Sequence, residues 1–265
     1  MLQIKQIYIF TAHRLVLLIF LVALGLNSIG QIKQPKIPVK EAQMKYPRIR
    51  TAYAQKDSLL KKQLDSLKVN MSTLNIFLRI FKKESLVEVW VKNTDDLSYK
   101  FLKSYRICRK SMALGPKRKE SDKLLPEGFY SIESFVPESQ YFLSMLINYP
   151  NEADKILGSK FHPGGDIAIH GTCLSIGCFA IGDDNIKELY ILALESKNNG
   201  QKDIAVHIFP ARLDEIGFES LRKKYQKEKS MMKFWKNLKQ GYDYFEKKKT
   251  IPIVKSDDLG VYFFE

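Results

Sequence analysis

Two neighbouring runs limit what this chain can become. Ile76, Leu78 and Ile80 alternate with Phe77, Arg79 and Phe81; after Lys82-Lys83-Glu84-Ser85 comes Leu86-Val87-Glu88-Val89-Trp90-Val91. Side chains two apart share a face only in an extended strand, so the alternation commits this stretch to a hairpin. Asn93-Thr94-Asp95-Asp96 gives the next turn, and a third strand is expected over about 99–108. Further strands are expected at 128–132, at 140–147 (a pattern a helix would also satisfy), and at 204–209, where Pro210 stops the run. The expected class is mostly β, of the α+β kind.

Helical spacing fills the gaps. Leu60, Leu64 and Leu67 share a face within 51–67, and Ile186, Leu189, Tyr190, Ala193 and Leu194 do so behind Asp183 or Asp184 as cap and ahead of Gly200 as terminator. From Phe218 onward, Arg222, Lys223, Lys224, Lys227, Lys229, Lys233, Lys236 and Lys239 interleave with Leu221, Tyr225, Met231, Phe234, Trp235 and Leu238. This predicts a basic helical extension over 213–265 that packs its aromatic face on the domain and leaves its lysines in water, with a short strand near 261–264. The formal net charge is +14 over 265 residues. No nucleic-acid motif accompanies it, so an anionic envelope, membrane surface or carboxylate-bearing peptide is the better electrostatic match. The tail would permit peripheral contact with an anionic membrane.

The N-terminus reads as a targeting segment. Lys5, His13 and Arg14 precede an uncharged run over 15–26, and Ser28-Ile29-Gly30 offers small residues before a cut at Gln31. Residues 1–30 are therefore expected to be a signal peptide, with an uncleaved anchor as the rival because apolar character begins upstream at Ile7. Pro35, Pro38 and Pro47 mark 31–50 as a linker. Cys108, Cys173 and Cys178 are too few for a disulfide scaffold and odd in number. Cys173 and Cys178 could form a reversible disulfide, but the plainer expectation makes Cys108 and Cys173 small buried residues.

The chemistry concentrates in Gly164-Gly165-Asp166-Ile167-Ala168-Ile169-His170-Gly171-Thr172-Cys173-Leu174-Ser175-Ile176-Gly177-Cys178. A strand over 166–169 would present His170, and a small-residue loop would deliver Cys178. A thiol is nucleophilic as its thiolate and needs a neighbouring base or positive charge. Gly177 allows close backbone approach, amides near Cys178 suit an oxyanion hole, and Ser175 is placed to touch substrate or orient the turn. His207 alternates on a strand and reads as core, while His162 before Pro163 reads as exposed. No spacing matches a usual zinc site, so no metal and no cofactor are expected.

This motif resembles that of the L,D-transpeptidase catalytic domain (YkuD) family, in which His-Gly is followed by Ser/Thr-His-Gly-Cys. Here His170-Gly171 precedes Ser175-Ile176-Gly177-Cys178, with Ile176 at the second His and Ala180 where the family often has Arg. These departures, with Leu114-Gly115-Pro116-Lys117, Pro126-Glu127-Gly128-Phe129-Tyr130 and Val206-His207-Ile208-Phe209-Pro210, resemble the YafK-like branch. The likeness implies a β-sandwich with added helices over 51–212, Cys178 as acylated nucleophile, His170 as its base, and Gly171, Ser175 and Gly177 around substrate and oxyanion. It implies a peptidoglycan acyltransferase that forms a thioester with a diaminopimelate-containing stem peptide and passes it to an amine. An amidase acting on protein–peptidoglycan or stem-peptide bonds is the alternative, and a non-catalytic envelope-binding module the minor one. Arg106, Lys110, Lys117 and Arg118 are candidates for the missing arginine's role. The partners implied are stem peptides and peptidoglycan-linked proteins, in the periplasm or cell envelope. An imidazolium beside Cys178 is expected to favour its thiolate.

Overall fold

The computed structural model describes residues 39–108, 112–174 and 177–265. Within them β1 (Leu74–Phe81) pairs antiparallel with β2 (Leu86–Asn93), and β2 with β3 (Lys100–Arg106), as the alternation requires. The alternation sorts side chains between two cores, not between core and water. Ile76, Leu78 and Ile80 enter the main core, and Phe77 and Phe81 are just as buried on the opposite face. Helices cover both faces, so Arg79 is buried as well. Its Nη1 lies 2.7 Å from Glu246 Oε1, and its guanidinium sits over the rings of Tyr242 and Phe245.

β4 (Gly128–Ser139) carries the sheet from its centre to its working edge. Residues 128–131 pair with β8 (Ala205–Phe209), and 132–139 pair with β5 (Phe142–Ile147). Two register shifts along the second half bend the strand between these partners. β6 (Ala168–His170) then pairs antiparallel with β5 and parallel with β7 (Phe179–Ala180), while β8 runs parallel to β1. The result is one eight-stranded sheet of order β3-β2-β1-β8-β4-β5-β6-β7. The 140–147 segment is thus strand, with Leu143 and Met145 fully buried.

On one face lie α1 (Val39–Met44) and α2 (Pro47–Ser66), whose Ile49, Ala52, Leu60 and Leu64 enter the main core. Helix therefore begins well inside the stretch expected as linker. Pro47 starts α2, where its missing N–H has no intrahelical partner to lose. After α3 (Glu152–Leu157), α4 (Asp183–Asn198) packs beside α2 with Ile186, Leu189 and Tyr190 in the same core. Its N-cap is Gly182, not Asp183 or Asp184, because the Asp183 carboxylate is used elsewhere.

The basic extension is a pair of helices, α5 (Glu215–Tyr225) and α6 (Lys229–Lys248), and shares a core with the sheet. Trp235, Leu238 and Tyr242 bury against Phe81, Phe129 and Phe209. Trp235 Nε1 donates to Glu127 Oε2 at 2.7 Å, Glu127 pairs with Lys82 at 2.8 Å, and Lys82 also donates to the carbonyls of Gly115 and Leu125. This buried hub fixes both ends of the loop that borders the site. Instead of a lone terminal strand, β9 (Val254–Ser256) and β10 (Tyr262–Phe264) pair with each other. Residues 1–38, which hold the expected signal and the start of the linker, lie outside the described residues, as do Lys110, Ser175 and Ile176. Among the described residues no helix is long and apolar enough to cross a membrane.

Candidate active site

β6 and β7 build the site by pairing in parallel, Ile169 with Phe179 and His170 with Ala180. The two strands are joined by residues 171–178, fewer than the dozen or so a crossover helix takes. Cys178 immediately precedes β7, which sets it two register steps from His170 along the same ladder.

The His170 ring is fully buried, with Nδ1 2.7 Å from the Gly171 carbonyl oxygen. A carbonyl only accepts, so Nδ1 carries the proton and Nε2 keeps its lone pair. Nε2 has no hydrogen-bond partner among the described residues. Burial lowers the His170 pKa below its ordinary 6.5, against a smaller opposing effect of the Gly171 carbonyl, so the ring is neutral. Tyr141 stacks on it at 4.6 Å between centroids. A Cβ at Gly171 would meet Asp183 Oδ1 at 2.6 Å and the Tyr141 carbonyl at 2.8 Å, so no side chain fits there. Asp183 accepts from the Thr172 amide at 2.6 Å, which ties the His-Gly-Thr turn to the start of α4.

Cys178 is half-buried, and its Sγ donates to the Asp166 carbonyl at 3.6 Å. Burial raises the thiol pKa; the Ala168 amide opposes that rise and the Asp166 carboxylate adds to it. The resting pair is therefore neutral thiol and neutral imidazole, not the expected imidazolium–thiolate. Desolvation penalises both charges. Gly177, just before the thiol, adopts φ +139°, a conformation that strains any other residue.

A cleft of about 900 Å³ opens over the thiol, lined by Lys117, Lys123, Tyr141, Asp166, Gly177 and Cys178 among others. His170 lies behind Tyr141 and does not line it. Cys108 and Cys173 form a disulfide, with Cα atoms 5.5 Å apart, which corrects both expectations for them. Neither is a plain buried thiol, and Cys173 is not the partner of Cys178. The bond joins the end of β3 to the loop between His170 and Cys178, a juxtaposition that sequence distance hides.

Of the basic candidates among the described residues, only Lys117 lines this cleft, and it is held by Asp122 at 3.1 Å. Arg118 pairs with Asp154 at 2.9 Å, and Arg106 lines a second cleft of about 820 Å³ beyond the disulfide. His162 is exposed. His207 stands on β8 between the rings of Phe77 and Phe129, at 4.6 and 4.7 Å. Tyr141 and Asp166 were not singled out from the sequence. The Gly164-Gly165 pair before Asp166 does mark a turn that aims it, whereas nothing local marks Tyr141.

The sequence pattern of the L,D-transpeptidase catalytic domain (YkuD) matches residues 76–207. The chain is 36% identical over 181 residues to the protein named "Putative L,D-transpeptidase YafK" in Escherichia coli K12, covering 68% of this chain and 70% of that one. The protein of the same name in Escherichia coli O157:H7 matches equally. Among solved structures, the helical cell shape determining protein Pgp2 of Campylobacter jejuni aligns at 18% identity and a TM-score of 0.41, covering 70% of this chain and 73% of that one. Bd1075 of Bdellovibrio bacteriovorus aligns at 19% identity and a TM-score of 0.37, covering 66% and 61%.

Proposed function

The chain belongs to the L,D-transpeptidase catalytic domain family, and on that premise we propose that it is a peptidoglycan cysteine acyltransferase with Cys178 as nucleophile and His170 as general base. One observation carries this reading: His170 is held as its Nδ1–H tautomer, with Nε2 unengaged among the described residues, two register steps from the thiol. Nε2 takes the thiol proton as Sγ bonds to the carbonyl carbon of a diaminopimelate residue in a stem peptide. The carbonyl oxygen becomes an oxyanion, for which the backbone amides at Gly177 and Cys178 are the donors. As the C–N bond breaks, the imidazolium returns the proton to the departing amine and leaves a thioester on Cys178. A second amine attacks the thioester, gives its proton to His170, and releases the cysteine thiolate, which that proton restores to thiol.

Ser175 is assigned to substrate contact and Gly171 to keeping the His turn against α4. Residues 51–212 form the catalytic part, and 213–265 an extension that braces the 115–127 loop through Trp235 and Glu127. Residues 1–30 export the chain, and the reaction takes place in the envelope on stem peptides.

Incubation with diaminopimelate-containing muropeptides tests the reaction. Cross-linked dimers that require Cys178 are the expected product. Shortened or released peptides alone would mean that water is the acceptor and would replace transfer with hydrolysis.

A further inference from the structure

Asp166 lies beside the thiol in the chain's own architecture. Its carbonyl receives the Cys178 S–H, and its side chain, exposed to solvent, lines the same cleft. It sits at φ +53°, directly after Gly164 (φ +81°) and Gly165. Non-glycine residues avoid that region, and those held there concentrate at ligand-contacting sites. Asp and Asn tolerate it best, so the backbone admits a carboxylate where most side chains would be strained. Among the described residues the Asp166 carboxylate has no ion pair, although the chain is rich in lysine. Lys117, on the same cleft, is already committed to Asp122.

A carboxylate beside a nucleophilic sulfur opposes thiolate formation, and here it reinforces the effect of burial. That placement suits a substrate that brings a positive charge of its own. Diaminopimelate does so: once one amino and one carboxyl group are in peptide linkage, its far end keeps a free ammonium and a free carboxylate.

We propose that Asp166 binds the side-chain ammonium of the acyl-donor diaminopimelate and so selects amine-bearing stem peptides for the cleft beside Cys178. This rests on the stem-peptide reading above. Lys123, which lines the same cleft and has no ion pair among the described residues, receives the free carboxylate of that zwitterion. Binding then has a second consequence. The ammonium neutralises the carboxylate that opposes thiolate formation, so the thiol becomes easier to ionise only when a cognate donor is in place.

The test separates recognition from turnover by using Cys178→Ala, which binds without reacting. Its affinity is measured by calorimetry for a diaminopimelate stem peptide and for the same peptide acetylated on the side-chain amine. Acetylation is expected to weaken binding about 10- to 100-fold, the range of a charge-assisted hydrogen bond. In Cys178→Ala/Asp166→Asn, which preserves shape and tolerance of the left-handed backbone, acetylation is expected to make no difference. Equal penalties in both proteins, or none in either, would overturn the assignment. A second readout uses substrate-free protein with its thiol intact: Asp166→Asn is expected to raise the iodoacetamide rate at Cys178 at neutral pH severalfold, and an unchanged or slower rate would contradict the electrostatic link. If wild type binds with the expected preference and yet forms no product, the transferase reading fails while the recognition stands.

Discussion

His170 and His207 are both shut off from water, and each keeps one ring nitrogen without a hydrogen-bond partner among the described residues. Burial lowers both pKa values, that of His207 to about 3, with Arg79 adding to the effect. An unsatisfied buried histidine is therefore not in itself a mark of catalysis. The surroundings separate the two. His207 stands at the centre of the sheet, with Phe77, Phe129 and Phe209 about its ring and α6 closing that face. His170 stands at the edge, fixed at Nδ1 by a carbonyl, one aromatic layer from an open cleft and two register steps from a thiol. The centre spends its histidine on packing, and the edge leaves its histidine able to accept a proton.

The comparison can be broken most severely at the thiol. Cys178→Ala is expected to abolish turnover on stem peptides while the melting temperature stays close to wild type, since a half-buried loop residue loses only its sulfur. Residual turnover above a few per cent would remove the cysteine mechanism. Next in size, His170→Ala is expected to lower kcat/KM by roughly 10²- to 10⁴-fold, the usual contribution of a general base. In wild type, the acid limb of kcat/KM should have its midpoint below pH 6.5, because the proposed base is the neutral ring and burial lowers its pKa from 6.5. An acid limb well above 6.5 would assign the base elsewhere.

The disulfide sharpens the contrast between edge and centre. It closes a separation of 65 residues and ties the His170–Cys178 loop to β3, whereas β8 is held by packing and ladder bonds. Cys108→Ala/Cys173→Ala is expected to cost about 4 kcal/mol by the chain-entropy relation. Hydrogen exchange should loosen first around β6 and β7, and a uniform loss across β1 and β8 would mean the edge is not a separate unit. The smallest effect on chemistry is expected from His207→Ala. It should leave kcat within about threefold of wild type and cost about 2–4 kcal/mol of stability through the cavity it opens. Its pH signature has a definite sign. The folded pKa lies below the unfolded 6.5, so His207 lowers stability progressively as pH falls from 6.5 towards 3. The gap in melting temperature between wild type and His207→Ala should therefore narrow on acidification; the opposing contribution of Asp154, raised to about 6, is common to both proteins and cancels.

The hairpin at 74–93 and the helix at 183–198 were legible because each repeats its period for long enough to outweigh local noise. The edge strands were harder. β7 is two residues long and has no period at all, so its parallel pairing with β6 emerges only from tertiary contact. Cys178 and His170 were readable from a motif. The Cys108–Cys173 bond was not, because β3 and the site loop meet through the sheet and not through sequence. Tyr141 escaped for the same reason: a turn tyrosine has no signal until Arg48 at the start of α2, donating to the Ser139 and Phe142 carbonyls at 2.8 and 2.7 Å, pins that turn beside His170. The charge state of the thiol was also misjudged from sequence, since burial depends on what folds over it.

The acyl-enzyme itself is the most direct object to look for. Wild-type protein is mixed with a diaminopimelate stem peptide, quenched in acid within the first turnover, and weighed intact before and after hydroxylamine. The account predicts a mass increase equal to the acyl fragment, mapped to Cys178, removed by hydroxylamine, retained in His207→Ala and absent from Cys178→Ala. Continued product formation with no such adduct, or with an adduct on any other residue, would contradict it.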